Sequence, residues 1–171
     1  MPFMEILIPI TIFLLLLFCF KTRSFYELKF RLATFWLLIV ASPGIALAEI
    51  VKIEFTNFDT YSLEIVRINV GDTVEWLPTS EGHNVEFIVT PSMTTFPKKS
   101  KMNEFHSQIF QKPGIYVYGC TPHLNMGMLG LIVVGDDFHN IPDTEEINLS
   151  PVAKSVLTRL ITKARFQSET R

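Results

Sequence analysis

The sequence predicts a mainly β protein: a sandwich or barrel of about seven or eight short antiparallel strands, closed by one C-terminal helix. Three observations predict it. From Val51 to Val134, short runs rich in Val, Ile, Phe, Tyr and Trp are separated by turn punctuation such as Gly71-Asp72 and Lys112-Pro113-Gly114, the rhythm of stacked strands. After Ser150-Pro151 the apolar period becomes helical. The 123 residues from Glu49 to Arg171 suffice for one domain with a single core.

Each element has its own local reason. Val51-Lys52-Ile53-Glu54-Phe55 alternates apolar and charged residues, as a half-buried strand does. Leu63 to Val70 and Thr73 to Leu77 are strands on either side of the Gly71-Asp72 turn, and Pro78 stops the second. His83 to Val89 and Phe105 to Phe110 follow, then Ile115 to Cys120 after the Pro-Gly turn, and Leu129 to Val134 completes the sheet. Ser150 offers an N-cap oxygen, Pro151 suits the first helical position, and Val152, Val156, Leu157, Leu160 and Ile161 share a face. A helical tail over about 150–166, packed on the sandwich, is expected.

Residues 1–48 read as a leader. Two apolar runs, Ile6–Phe20 and Leu32–Ile45, flank Lys21, Arg23, Lys29 and Arg31. The second run has the layout of a secretory signal, with basic residues in front and Ala46-Leu47-Ala48 as a small-residue cleavage site before Glu49. The preferred reading places the true start near Leu28, so that the signal spans about 28–48 and residues 1–27 translate upstream sequence. The first run, 15 residues, is short for the ~30 Å of bilayer hydrocarbon; a membrane tether follows only if the leader is retained.

Charge and cysteines narrow the function. Residues 49–171 carry eleven Lys and Arg against fifteen Asp and Glu, a net −4, which excludes an overall basic nucleic-acid binder. Cys120 is the one cysteine beyond the leader, so no disulfide can form within the domain and the thiol invites a special use.

That use is written in His83 and in the run Cys120-Thr121-Pro122-His123-Leu124-Asn125-Met126-Gly127-Met128. Two imidazoles and a thiolate form a trigonal plane around copper, and a thioether supplies a weak axial contact tolerated by both Cu(I) and Cu(II). Cys120, His123 and Met128 come from one short loop, which alone cannot close a site; His83 arrives from a distant segment. A lone Met is usually core filler, but four ligand types at this spacing point to one copper ion per chain. His106 and His139 have no such partners in sequence and read as ordinary surface histidines. A Cys–His hydrolase is disfavoured because Cys120 and His123 share one tight loop with no separate orienting group. Copper storage or delivery is the alternative function, although storage favours clusters of Cys and Met.

Gly82-His83-Asn84-Val85-Glu86, Pro113-Gly114-x-Tyr116 and Cys120-Thr121-Pro122-His123-x-x-Met126-Gly127-Met128-x-Gly130 resemble the pseudoazurins, periplasmic type 1 copper proteins of the cupredoxin fold. The resemblance covers nearly all of 49–171, helical tail included. Plastocyanins share the loop spacing but end soon after the last strand, amicyanins have a shorter His-to-Met gap, and azurins a longer Cys-to-His gap. The segment from Glu49 to Tyr61 is shorter than is usual in the family, and the double apolar leader is atypical.

The resemblance implies a cupredoxin-like Greek-key sandwich and a periplasmic electron carrier, not an enzyme, with no small-molecule substrate and expected to be a monomer. His83, Cys120, His123 and Met128 would be the copper ligands: His83 buried, His123 at the solvent edge as the electron port. Asn84 would tie the His83 segment to the ligand loop. The implied partner is a respiratory or denitrification redox protein such as a copper nitrite reductase. Docking is expected at the His123 edge, over Pro78, Pro122, Leu124 and Met126, with steering by Lys98, Lys99 and Lys101 and support from Lys112.

Overall fold

The computed structural model describes residues 47–92 and 95–170. The apolar runs of the leader lie outside the described residues. Among the described residues seven strands form: β1 (Ile50–Glu54), β2 (Ile65–Ile68), β3 (Thr73–Leu77), β4 (Glu86–Val89), β5 (His106–Ile109), β6 (Gly114–Gly119) and β7 (Leu129–Val134), followed by the helix α1 (Pro151–Glu169). They make a three-stranded sheet in the order β1-β3-β5 and a four-stranded sheet in the order β2-β7-β6-β4.

The expected strands are present, but the sheets are not wholly antiparallel. β1 runs parallel to β3 and β2 parallel to β7, while β3–β5, β4–β6 and β6–β7 are antiparallel. Alternation along a strand reports which face is buried and carries nothing about the direction of its neighbour. The chain changes sheet after each of β1 to β5, so these sheet neighbours are not successive hairpin strands and need not be antiparallel.

β6 and β7 are buried along their whole length, because both of their faces are covered. One face, with Tyr116, Tyr118, Ile132 and Val134, looks into the sandwich onto Ile53, Val74, Trp76 and Phe87. The other, with Ile115, Val117, Leu131 and Val133, receives Ala153, Leu157, Leu160 and Ala164 of α1. Strands covered on both sides read as nearly continuous apolar runs, which explains Leu-Gly-Leu-Ile-Val-Val at β7.

Ser150 caps α1 as expected: its Oγ accepts from the Ala153 amide at 3.1 Å, with Pro151 in the first turn. The buried stripe differs from the expected one. Ala153, Leu157, Leu160 and Ala164, spaced at helical repeats, are buried; Val156 and Ile161 are partly buried, and Val152 is exposed. The sheet passes close beneath the helix, and two alanines let it approach where larger residues would hold it off. Arg159 clamps the outer side with a two-pronged ion pair to Glu64 at 2.8 and 3.0 Å, and Arg67 of β2 bridges Asp136 and the Ala164 carbonyl.

Candidate metal centre

The residue that arrives from afar is held by a dense set of contacts. His83 follows Gly82, whose φ of +86° favours glycine. The Asn103 side chain accepts from the Gly82 amide at 2.6 Å and from the His83 amide at 3.3 Å, while the Asn103 backbone amide donates to the His83 carbonyl at 2.9 Å. Phe55 meets the His83 ring edge-on at 5.8 Å between centroids. The His83 side chain is only 2% exposed.

The run 120–128 folds on itself. The Cys120 amide donates to the Met128 carbonyl at 3.2 Å, and the His123 carbonyl accepts from the Met126 and Met128 amides at 3.0 and 3.2 Å. Leu124–Met126 form a 3-10 turn ended by Gly127 at φ +97°. A Cβ at Gly127 would lie 2.9 Å from Val156 Cγ2, so α1 supports the loop from behind, and Ser150 Oγ donates to the Asn125 carbonyl at 2.6 Å. Leu124 needs the bare Gly119, where a Cβ would lie 2.4 Å from its Cδ1, and the Tyr118 ring likewise lies over the bare Gly130.

Asn84 joins the two parts. Its Nδ2 donates to Thr121 Oγ1 at 2.9 Å, and its Oδ1 accepts from the Thr121 amide at 2.8 Å. The Thr121 hydroxyl donates to Glu86 at 2.7 Å, and Glu86 pairs with Lys99 at 3.1 Å. The Tyr61 hydroxyl adds a 2.9 Å bond to the Asn84 carbonyl. The Thr121 bond and the Lys99 cation hold the Glu86 carboxyl below its ordinary value.

Together these contacts bring His83, Cys120 and His123 to one point. Cys120 Sγ lies 3.7 Å from His83 Nδ1 and 3.6 Å from His123 Nδ1, and the two Nδ1 atoms are 3.2 Å apart. Metal bonds of about 2.0 Å to nitrogen and 2.3 Å to sulfur, opened to about 120°, set N and S about 3.7 Å apart. The donor set therefore fits a first-row ion of copper's or zinc's size. Met128 is buried in the same core cluster as Cys120, whereas Met126 is 64% exposed; of the two thioethers, the buried one would be available to a metal held by Cys120. Among the described residues this is the one His/Cys/Asp/Glu cluster of metal-ligand geometry.

Electrostatics favour a neutral site before metal enters. Burial pushes the Cys120 thiol up, against hydrogen bonds from the Asn84 and His123 backbone. Burial and then the neighbouring His123 lower the His83 imidazole, against the Asp59 carboxylate and the Thr56 backbone. A metal cation that binds here would displace the thiol proton and supply the missing positive charge.

Three residues at the site were not singled out by the sequence. Asn103 is a short polar residue in a loop with no pattern to mark it, and Thr121 lies inside the ligand run but offers no metal-ligand chemistry to mark its part. Asp59 Oδ1 lies 3.7 Å from His83 Nε2 and 3.6 Å from His123 Nδ1, yet in sequence it is one acid among fifteen. His106 is also not an ordinary surface residue: its ring lies 5.5 Å from that of Trp76, its Nε2 is buried without a partner, and burial lowers its pKa. His139 is exposed but bound to Asp137 at 2.9 Å.

Comparison with known proteins agrees with this geometry. Residues 50–135 match the family of copper binding proteins described as plastocyanin/azurin. The chain is 36% identical over 141 residues to a putative pseudoazurin of Rhizobium leguminosarum bv. viciae, covering 78% of this chain and 90% of that one. It is 36% identical over 113 residues to a pseudoazurin of Paracoccus pantotrophus, covering 61% and 75%. Among solved structures, the pseudoazurin of Hyphomicrobium denitrificans superposes with a TM-score of 0.61 at 30% identity, covering 67% of this chain and 97% of that one. The chain belongs to the plastocyanin/azurin family of copper-binding proteins, among the pseudoazurins: it is a blue-copper electron carrier and not an enzyme.

Proposed function

We propose that His83, Cys120, His123 and Met128 hold a single copper ion and that the protein shuttles single electrons in the periplasm between respiratory or denitrification redox proteins, donating to a copper nitrite reductase or a similar oxidoreductase. The observation that carries this reading is the meeting of three donor atoms at 3.2–3.7 Å with a buried methionine on the same loop. Bound copper supplies a one-electron couple whose two states accept the same ligand geometry. The chain's part is to keep that geometry fixed. The hydrogen bonds from Asn103 and Asn84 and the support from α1 hold the donors in place whichever state is present.

His123, whose side chain is 22% exposed, is the electron port. Pro122 and Met126 stand exposed beside it on the same loop. A small apolar patch with charges around it suits brief redox encounters, in which charge sets the on-rate more than the affinity. Lys98, Lys99 and Lys101 are exposed, but Lys99 is paired with Glu86 and Lys101 with Glu104, so steering is predicted to be moderate. Export rests on the signal layout at about 28–48, with cleavage before Glu49 giving a mature domain 49–171. N-terminal sequencing of the native protein tests it; a start upstream of Glu49 would refute cleavage there.

The deciding measurement for copper is the visible spectrum of the Cu(II)-loaded protein, where thiolate-to-copper charge transfer gives an intense band. A colourless oxidised protein overturns the ligand assignment. Stopped-flow reduction of a copper nitrite reductase across a salt series tests the partner: neutralising Lys98, Lys99 and Lys101 together should slow the reaction at low salt and flatten its salt dependence. An unchanged rate returns those lysines to a solvated face.

A further inference from the structure

The short segment between β1 and β2 brings a carboxylate to the metal centre. The Thr56 amide donates to the Thr60 carbonyl at 3.0 Å, the two threonine hydroxyls meet at 2.7 Å, and the Phe58 amide donates to Thr56 Oγ1 at 3.3 Å. Within this closed turn Asp59 takes a φ of +54°, a left-handed conformation uncommon for residues other than glycine but tolerated by Asp. The turn is anchored at its base by the Phe55–Tyr61 bridge and by the Tyr61 hydroxyl on the Asn84 carbonyl. The same Asp59 oxygen lies 3.7 Å from His83 Nε2 and 3.6 Å from His123 Nδ1, too far for a hydrogen bond and well inside the ~8 Å Debye length of physiological salt.

We propose that Asp59 is a positioning residue of the metal centre whose charge stabilises the oxidised form and so lowers the reduction potential. The inference rests on the ligand assignment proposed above. The sign follows from charge. Cu(II) with one thiolate carries a net +1, whereas Cu(I) with one thiolate is neutral, so a nearby carboxylate favours the first and is nearly indifferent to the second. The Asp59 side chain is 47% exposed, so water screens part of the effect. The positive φ sets the Cα–Cβ direction of Asp59, and the threonine contacts close the turn that carries it.

Voltammetry of the copper-loaded full chain tests this on the wild type, Asp59→Asn, Asp59→Glu and Glu169→Gln. Glu169 is the control: it ends α1, about 28 Å of helix at ~1.5 Å per residue from the Ser150 cap that touches the ligand loop. Asp59→Asn should shift the Cu(II)-to-Cu(I) affinity ratio about tenfold toward Cu(I), a rise of ~59 mV for one electron. Competition titrations should place that loss in Cu(II) affinity and leave Cu(I) affinity unchanged. Asp59→Glu should keep most of the wild-type potential, and Glu169→Gln all of it. If Asp59→Asn does not fold, Asp59→Gly removes the charge while accepting the same φ, with the same rise expected. A blue Asp59→Asn or Asp59→Gly protein with wild-type potential overturns the inference alone. So does an Asp59→Glu shift as large as that of Asp59→Asn, because the loop and not the charge would then be at work. A wild type without the copper–thiolate band overturns the ligand assignment and this inference with it.

Discussion

Residues 120–128 and residues 82–84 reach the same centre by different routes. The first is a loop with its own internal hydrogen bonds, from the Cys120 amide to the Met128 carbonyl and from the Met126 and Met128 amides to the His123 carbonyl. The backbone of the second is held from outside, by Asn103 and Tyr61, and its Asn84 side chain by Thr121. A local loop can hold three donors near their final places at low entropic cost, whereas His83 comes into position only when distant parts of the chain are already packed. The centre should therefore be sensitive to donor chemistry at the loop and to remote packing at His83.

The largest predicted effect removes the loop's soft donor. Cys120→Ser should abolish the intense visible band and redox cycling while circular dichroism still reports the folded sandwich, since a buried hydroxyl replaces a buried thiol at nearly the same volume. Retained blue colour would refute the assignment of Cys120.

Next comes the support behind the loop. Leu160→Ala empties a fully buried position between α1 and the β6–β7 face and should cost about 2–5 kcal/mol in denaturant unfolding. Its copper spectrum should stay near wild type as long as the protein is folded, because the loop's own hydrogen bonds persist.

Asn84→Ala cuts the tie between the two regions. It leaves the Thr121 amide without its 2.8 Å acceptor and should cost about 1–3 kcal/mol. Copper release to a chelator should quicken more than it does in Leu160→Ala at equal stability. Equal release rates in the two variants would erase the distinction between a self-held loop and an externally held histidine.

The smallest effect lies away from the centre. Burial lowers the His106 pKa in the folded protein, so between the folded value and the unfolded value of about 6.5 the unfolded chain binds more protons. Stability should therefore fall as the pH drops below about 6.5 and level off below the folded pKa. In copper-loaded protein, His106→Gln should flatten this part of the stability–pH curve. An unchanged slope would place the titration elsewhere.

Much of the centre was legible because its chemistry is compressed into the sequence. Cys120, His123 and Met128 sit within nine consecutive residues, and a local loop needs little else to bring them together. The strands were legible from alternation and from Gly71 and Pro113-Gly114, and the start of α1 from Ser150-Pro151, because caps and turns are local physics. The helix stripe was legible in phase but not in depth: the sequence favours Val152 as core, while the sheet chose Ala153 and Ala164 because it lies too close for larger side chains. The burial of His106 against Trp76 depends on β3 pairing with β5, which no local pattern announces.

By itself the sequence determined the donor types, the spacing of three of them, the strand positions and the helix cap, since each depends on residues a few positions apart. Only the tertiary structure decided that β1 and β2 run parallel to their neighbours, that Asn103 and Asn84 hold His83 against the loop, and that Asp59 stands 3.6–3.7 Å from both imidazoles. Those outcomes join residues about 20–65 positions apart, where contact is fixed by how the whole chain packs and not by the preference of any segment.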